Sequence, residues 1–297
     1  MNVELANSST GSAGYKKRLP PSSLFCLALL APGVLLVGGL FVFPIGRLAA
    51  LSFEAPLWSL SMYGHLFTAT DYATVLVRTL RVSALVTAVC IVLGYPIAYM
   101  MVKSSAIVRA IIGLAVLLPF WTSLLVRNYA WVYLLQRRGP VNEMLVAWGV
   151  VPAPLPLMFN EFAVVLGMAN ALLPFMVLPI FVSLQAQERA LLEAANSLGA
   201  TPSVGFLTVT LPLSVPGIVA GTLVIFATAL GFYVTPALLG GGRVLMAATD
   251  IVRQIEELLN WPQAAAASMV LLAVVTVVIG LYLKAADRLS GMESDNA

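Results

Sequence analysis

Trp121, Arg127, Tyr129 and Trp131 fall in one short stretch, and Tyr233 lies far downstream. The faces of such aromatic rings hold organic cations by cation–π attraction, about 0.5–2 kcal/mol each. The Arg127 guanidinium would instead receive a carboxylate through paired N–H donors. Trp and Tyr equally form belts where a membrane helix meets water, so both readings stand. Little else equips the chain for bond-making chemistry. His65 is the single histidine, with no Cys or carboxylate at ligand spacing. Cys26 and Cys90 sit in apolar runs and read as small buried residues. No Gly-x-x-x-x-Gly-Lys-Ser/Thr loop occurs, so the chain has no Walker motif with which to hydrolyse ATP. These residues bind or present; they do not catalyse.

The elements that must position them are set by composition. The chain has 297 residues, 60% hydrophobic and 10% charged, with a mean hydropathy of +0.96. A soluble domain carries about 25% charged residues, so lipid is the solvent here. Uncharged runs at 19–46, 82–102, 110–126, 162–187, 194–242 and 258–283 are long enough to span a bilayer. A span takes roughly 20 apolar residues and must satisfy its own backbone, hence helices. The expected fold is an all-α membrane protein with six transmembrane helices, near 24–50, 78–102, 107–134, 162–185, 211–237 and 264–284. Residues 1–20 form a polar tail, 21–290 the membrane domain and 291–297 a second tail. The 51–77 and 136–160 segments read as outer loops. The 16 basic residues divide evenly between the two sides of such a layout. All four lysines fall inside with a cytoplasmic N-terminus, and Lys16, Lys17 and Arg18 flank the first span. That places both termini in the cytoplasm. Asp250, Glu256 and Glu257 then lie near the outer ends of the spans and read as a solvated acidic face. Gly217 and Gly221, and the alanine run 264–267, are small enough for close helix packing.

The polar segment between spans four and five differs from the rest. Residues 187–198 predict a helix of about three turns, with Leu191, Leu192, Ala194, Ala195 and Leu198 at helical spacing. Gly199 stands where a helix is closed by a left-handed residue. Thr201 and Pro202 form an N-cap and first-turn pair, opening a second short helix. Leu211 and Pro212 then mark the membrane boundary. Glu193 offers a charge, and Ala194 and Ala195 a close-fitting surface, to a soluble partner.

The ordered set Glu193, Ala194, Ala195, Gly199, Leu211, Pro212 resembles the cytoplasmic coupling loop of permease subunits in bacterial ABC importers. Val209 stands where that pattern usually has Ile. The resemblance extends over nearly the whole chain. Leu118-Pro119-Phe120-Trp121-Thr122-Ser123 is similar to the third span of spermidine/putrescine permeases. So are Tyr95-Pro96-Ile97-Ala98-Tyr99, Leu173-Pro174-Phe175-Met176, Tyr233-Val234-Thr235-Pro236 and Asn260-Trp261-Pro262. The resemblance implies a multi-pass subunit of the bacterial inner membrane, paired with a second related permease. It implies two ATPase subunits that bind ATP and Mg, and a periplasmic binding protein that delivers the solute. No cofactor is expected in this chain. The solute implied is a polyamine, or an opine or amino-acid derivative. The alternative is an ion-coupled secondary transporter, but such proteins carry intramembrane acids, and none lies deep in an expected span.

Overall fold

The computed structural model describes residues 21–53, 61–68 and 72–294. The expected N-terminal tail lies outside the described residues. Among those described there are thirteen α-helices and one π-helical turn, with no strand. They are α1 (Pro21–Ser52), α2 (Ser61–Thr68), α3 (Tyr72–Lys103), α4 (Ala106–Trp121), α5 (Leu124–Leu135), α6 (Pro140–Ala147) and α7 (Glu161–Gln185). Then follow α8 (Arg189–Ser197), α9 (Pro202–Gly205), the π-turn (Phe206–Thr210), α10 (Leu211–Leu230), α11 (Val234–Gly240), α12 (Ala247–Glu256) and α13 (Trp261–Ser294). Contacts divide the chain into two units, Met1–Arg47 and Leu48–Ala297. The described part of the first is an apolar helix with Pro32 inside it and Pro44 near its end.

Five helices are long and apolar enough to cross a membrane, or six if the bent pair formed by Ala106–Trp121 and Leu124–Ala147 counts as one span. The expected third span, near 107–134, is therefore broken, by 101°. At the break Thr122 and Ser123 adopt extended backbone. The Thr122 N–H and hydroxyl both donate to the Pro119 carbonyl, at 3.3 and 2.8 Å. Arg127 reaches back from α5, its Nη2 donating to the Thr122 carbonyl at 3.3 Å and to Oγ1 at 3.1 Å. Carbonyls orphaned by the interrupted ladder are thus satisfied locally, as apolar surroundings require. The expected 51–77 loop likewise contains helix α2, which carries an exposed His65.

Helices α3, α7 and α10 form the centre of the second unit. Val82, Val86 and Cys90 of α3 and Ile225 and Ala229 of α10 belong to one buried cluster with Met168, Leu172 and Met176 of α7. Close approach is what makes the cluster possible. A Cβ at Gly217 would sit 2.6 Å from the Pro179 carbonyl oxygen, and one at Gly221 would sit 2.7 Å from the Met176 sulfur. In lipid, such van der Waals fit replaces the hydrophobic drive of a soluble core. A second cluster joins α2, α3, α12 and α13 through Leu66, Tyr72, Ala247 and Ala267. The Tyr72 hydroxyl donates to the Ala267 carbonyl at 2.8 Å. Thr79 of α3 accepts from the Ala247 N–H at 2.8 Å and so caps α12 from outside its own helix. Asp250 is not part of a solvated face. It is 4% exposed, burial pushes its carboxyl above the usual range, and Arg253 and Gln254 pull it back.

Replacing Gly217 with Leu should separate α10 from α7 and destabilise the fold by about 1–3 kcal/mol, the usual range for overpacking. A lowered unfolding midpoint in detergent would show this, and a midpoint equal to wild type would refute the close-packing account.

Candidate functional site

The 187–212 segment folds as a compact hairpin of helices. Glu188 begins α8 in extended conformation. Leu198 ends it, and Gly199 follows at φ +86°. The Gly199 N–H donates to Asn196 and the Ala200 N–H to Ala195, both at 3.0 Å. This paired pattern closes the helix with its last carbonyls satisfied, and the left-handed residue it needs is glycine. Thr201 opens α9 as expected, in extended conformation, although its side chain makes no capping bond.

The apolar stripe of α8 is split. Leu192 turns inward, and a Cβ at Gly205 would lie 3.3 Å from its Cδ1. Leu191 and Leu198 face outward, 46% and 89% exposed. Glu193 and Ala194 are also exposed, while Ala195 is half-buried. Glu193 forms no ion pair among the described residues. The hairpin therefore presents leucines that its own packing does not use, beside the Glu193 carboxylate.

The second helix does not end at Leu211. Pro202–Leu230 runs as one continuous helical stretch, and the polar-to-apolar change occurs inside it. The π-turn Phe206–Thr210 absorbs the missing donor of Pro212: the Leu211 N–H reaches back to the Phe206 carbonyl, five residues away. Gln187, at the end of the preceding span, donates its Nε2 to the Thr210 carbonyl at 3.0 Å. Phe206 packs edge-on against Tyr95 and Tyr99 of α3, at centroid distances of 5.8 and 5.5 Å. Tyr95 also shares a hydrogen bond of 3.2 Å with Ser214. The hairpin is thus tied to α3, α7 and α10 together. A cavity of about 430 Å³ lies behind α8, lined among others by Tyr99, Lys103, Arg109, Glu193 and Thr210. Arg109 donates to the Met101 and Ser104 carbonyls, so it closes the end of α3. Nothing in the sequence pattern marked the π-turn. The Gln187 contact joins residues separated by 23 positions, beyond any helical periodicity.

The five residues of the expected solute path do not form a single box. Trp121, at the end of α4, is 86% exposed, and Tyr129 of α5 is 62% exposed. Trp131 packs on the central cluster instead, because positions two apart on a helix face different directions. Arg127 is engaged at the break. Tyr233 stands at the start of α11, where its carbonyl accepts from Ala237 at 3.0 Å. The sequence carried a signal for the break in the Thr-Ser pair after Pro119, which offers side-chain oxygens to a helix end.

The described residues define an all-helical membrane fold, with α3, α7 and α10 packed together and one polar helical hairpin between α7 and α10. This fold matches a chain of the bacterial alginate ABC transporter solved in complex with an alginate pentasaccharide-bound periplasmic protein. The TM-score is 0.77 at 20% identity, over 90% of this chain and 96% of that one. The sequence narrows this further. It is 35% identical over 244 residues to the spermidine/putrescine transport system permease protein PotB of Salmonella typhimurium, covering 82% of this chain and 85% of that protein. Against PotB of Escherichia coli K12 the identity is 36% over 232 residues, covering 78% and 82%. No protein-family profile matches the chain. The chain belongs to the family of spermidine/putrescine-type permease subunits of ABC importers, which are transport proteins and not enzymes.

Leu192→Ala should loosen the hairpin, by about 1–2 kcal/mol for a partly buried leucine, and speed proteolysis between α7 and α10. Leu198→Ala should leave its protease resistance within error of wild type. Equal sensitivity in the two variants would contradict the split-face description.

Proposed function

We propose that this chain forms half of the membrane pathway of a polyamine importer and couples it to ATP hydrolysis through the 187–212 hairpin. The solute class rests on one observation, the 35% identity to PotB across 82% of the chain. A polyamine is a flexible chain of ammonium groups. Exposed aromatic faces such as Trp121, Tyr129 and Tyr233 suit it, each worth about 0.5–2 kcal/mol. Hydrogen-bonded only to the neutral Thr122 carbonyl and hydroxyl, Arg127 keeps its positive charge, so the aromatic faces and not this residue would meet the ammonium groups.

The proposed assembly contains a second related permease, two ATPase subunits that hold ATP and Mg, and a periplasmic binding protein. Both termini and the hairpin face the cytoplasm of the inner membrane. In this reading α8 seats in a groove of the ATPase, with Leu191 and Leu198 as its apolar contacts and Glu193 as its charge. Closure of the ATPase pair moves α8. Gln187 and the π-turn carry that movement into α7 and α10, and the pathway changes exposure.

Membrane vesicles holding the assembled importer should take up labelled putrescine or spermidine, dependent on ATP and on the binding protein. If the cognate binding protein retained only sugars or oxyanions, the polyamine reading would be wrong.

Gly199→Val should cost on the order of 1–3 kcal/mol at the turn and reduce both uptake and co-purification of the ATPase. Glu193→Arg should do the same by reversing the presented charge. Permease abundance should stay normal, since no span depends on either residue. Wild-type uptake with an intact complex in both variants would remove the docking role. Labelling of Ser203→Cys by an impermeant reagent in intact cells would reverse the orientation.

A further inference from the structure

A second cavity of about 430 Å³ lies where the end of α5, the 156–159 segment and the turn after α11 meet. Arg137 and Arg243 line it with Gln136, over an apolar floor that includes Val132, Met158 and Phe159. No carboxylate is among the residues that line it. Neither guanidinium has an ion pair or hydrogen bond among the described residues, although Arg81 pairs with Glu161 and Arg253 with Asp250. Two like charges facing one hollow without a counter-charge repel each other, so an anion there relieves both.

The walls are built at a backbone cost. Phe159 has φ +59°, rare for a bulky residue, and Gly241 and Gly242 follow at +53° and +74°. The Phe159 N–H donates to the Leu239 carbonyl at 3.1 Å, and the Arg243 N–H to the Gly240 carbonyl at 3.0 Å. Any side chain at Gly241 would strike the Phe159 ring. Just beyond Arg137 a Cβ at Gly139 would lie 2.6 Å from the Tyr133 and Leu134 carbonyls, so the turn after α5 is tight. Strain of this kind clusters at binding sites.

The setting indicates the occupant. Arg109, near the start of α4, lines the cavity behind α8. The helix then carries the chain about 24 Å away, at 1.5 Å per residue. Beyond Thr122 the chain turns by 101°, so α5 leaves the direction of α4 at the far end from that cavity. Tyr133 of α5 and Trp148 just after α6 are exposed. Guanidinium groups, an apolar floor and exposed Tyr and Trp in the adjoining segments are the chemistry of a headgroup region.

We propose that this cavity binds the phosphate of an anionic phospholipid. Arg137 and Arg243 donate to the phosphate oxygens, and the floor receives the glycerol and the first acyl carbons. With no carboxylate lining the cavity, nothing there receives an ammonium headgroup, so phosphatidylglycerol is preferred over phosphatidylcholine. The site is independent of which solute is carried.

The test uses the full-length chain with the subunits that co-purify with it, delipidated in detergent. Unfolding midpoints are read with added short-chain phosphatidylglycerol, phosphatidylcholine or inorganic phosphate. Wild type should be stabilised most by phosphatidylglycerol. Arg137→Gln/Arg243→Gln should bind that lipid roughly thirtyfold more weakly, the loss of two basic attractions, and Arg137→Lys/Arg243→Lys should retain part of the preference. If the double glutamine variant does not fold, the two single variants are read by the same comparison. An equal effect of phosphatidylglycerol on wild type and glutamine variants would overturn the site. An effect of inorganic phosphate equal to the lipid's would reduce it to a plain anion site and overturn the lipid assignment. Loss of low-salt binding-protein association in the glutamine variants, without a lipid preference in wild type, would reassign the arginines to a protein interface and also overturn it.

Discussion

Hydrocarbon offers no partner to a peptide N–H or C=O, so every interruption of a spanning helix must be answered by the protein itself. Four helix ends or interruptions here have a named side chain beside them. Arg127 and the Thr122 hydroxyl answer the break between α4 and α5. Thr79 supplies the acceptor for the first N–H of α12 from a different helix. Arg109 collects carbonyls at the end of α3. Gln187 reaches the Thr210 carbonyl in the π-turn. Polar residues are few in this chain, and these positions account for several of those that sit within or beside spans.

The same constraint shapes how force would pass through the molecule. Glycines at 217 and 221 bring α10 against α7 at backbone distance, so the two helices resist sliding past one another. Edge-on aromatic contacts fix the π-turn to α3. A displacement at α8 is therefore shared among three packed helices rather than dissipated in a flexible loop. Within the Pro202–Leu230 stretch the π-turn sets the helical ladder out of register, and such turns concentrate at functional positions.

Charge follows position with similar economy. Asp250 is buried and paired with Arg253, and Arg81 is paired with Glu161. Glu193, Arg137 and Arg243 stay unpaired among the described residues. These unpaired charges lie on the α8 hairpin and beside the end of α5, surfaces that face something other than this chain's own interior.

The sequence by itself determined the class. Long uncharged runs forced helices in lipid, and the order of Glu193, Ala194, Ala195, Gly199, Leu211 and Pro212 located the hairpin, because caps and turns are written in neighbouring residues. It also marked Gly217, Gly221 and the alanine run as packing surfaces, since small side chains are visible in any alignment-free reading. Only the tertiary structure decided that the third span breaks at Thr122, that Trp131 packs inward while Tyr129 does not, and that Pro202–Leu230 is continuous. It alone brought Gln187 to Thr210 and Arg137 to Arg243. Those outcomes depend on which distant helix stands beside a residue, and helical periodicity carries no information about a neighbour many residues away.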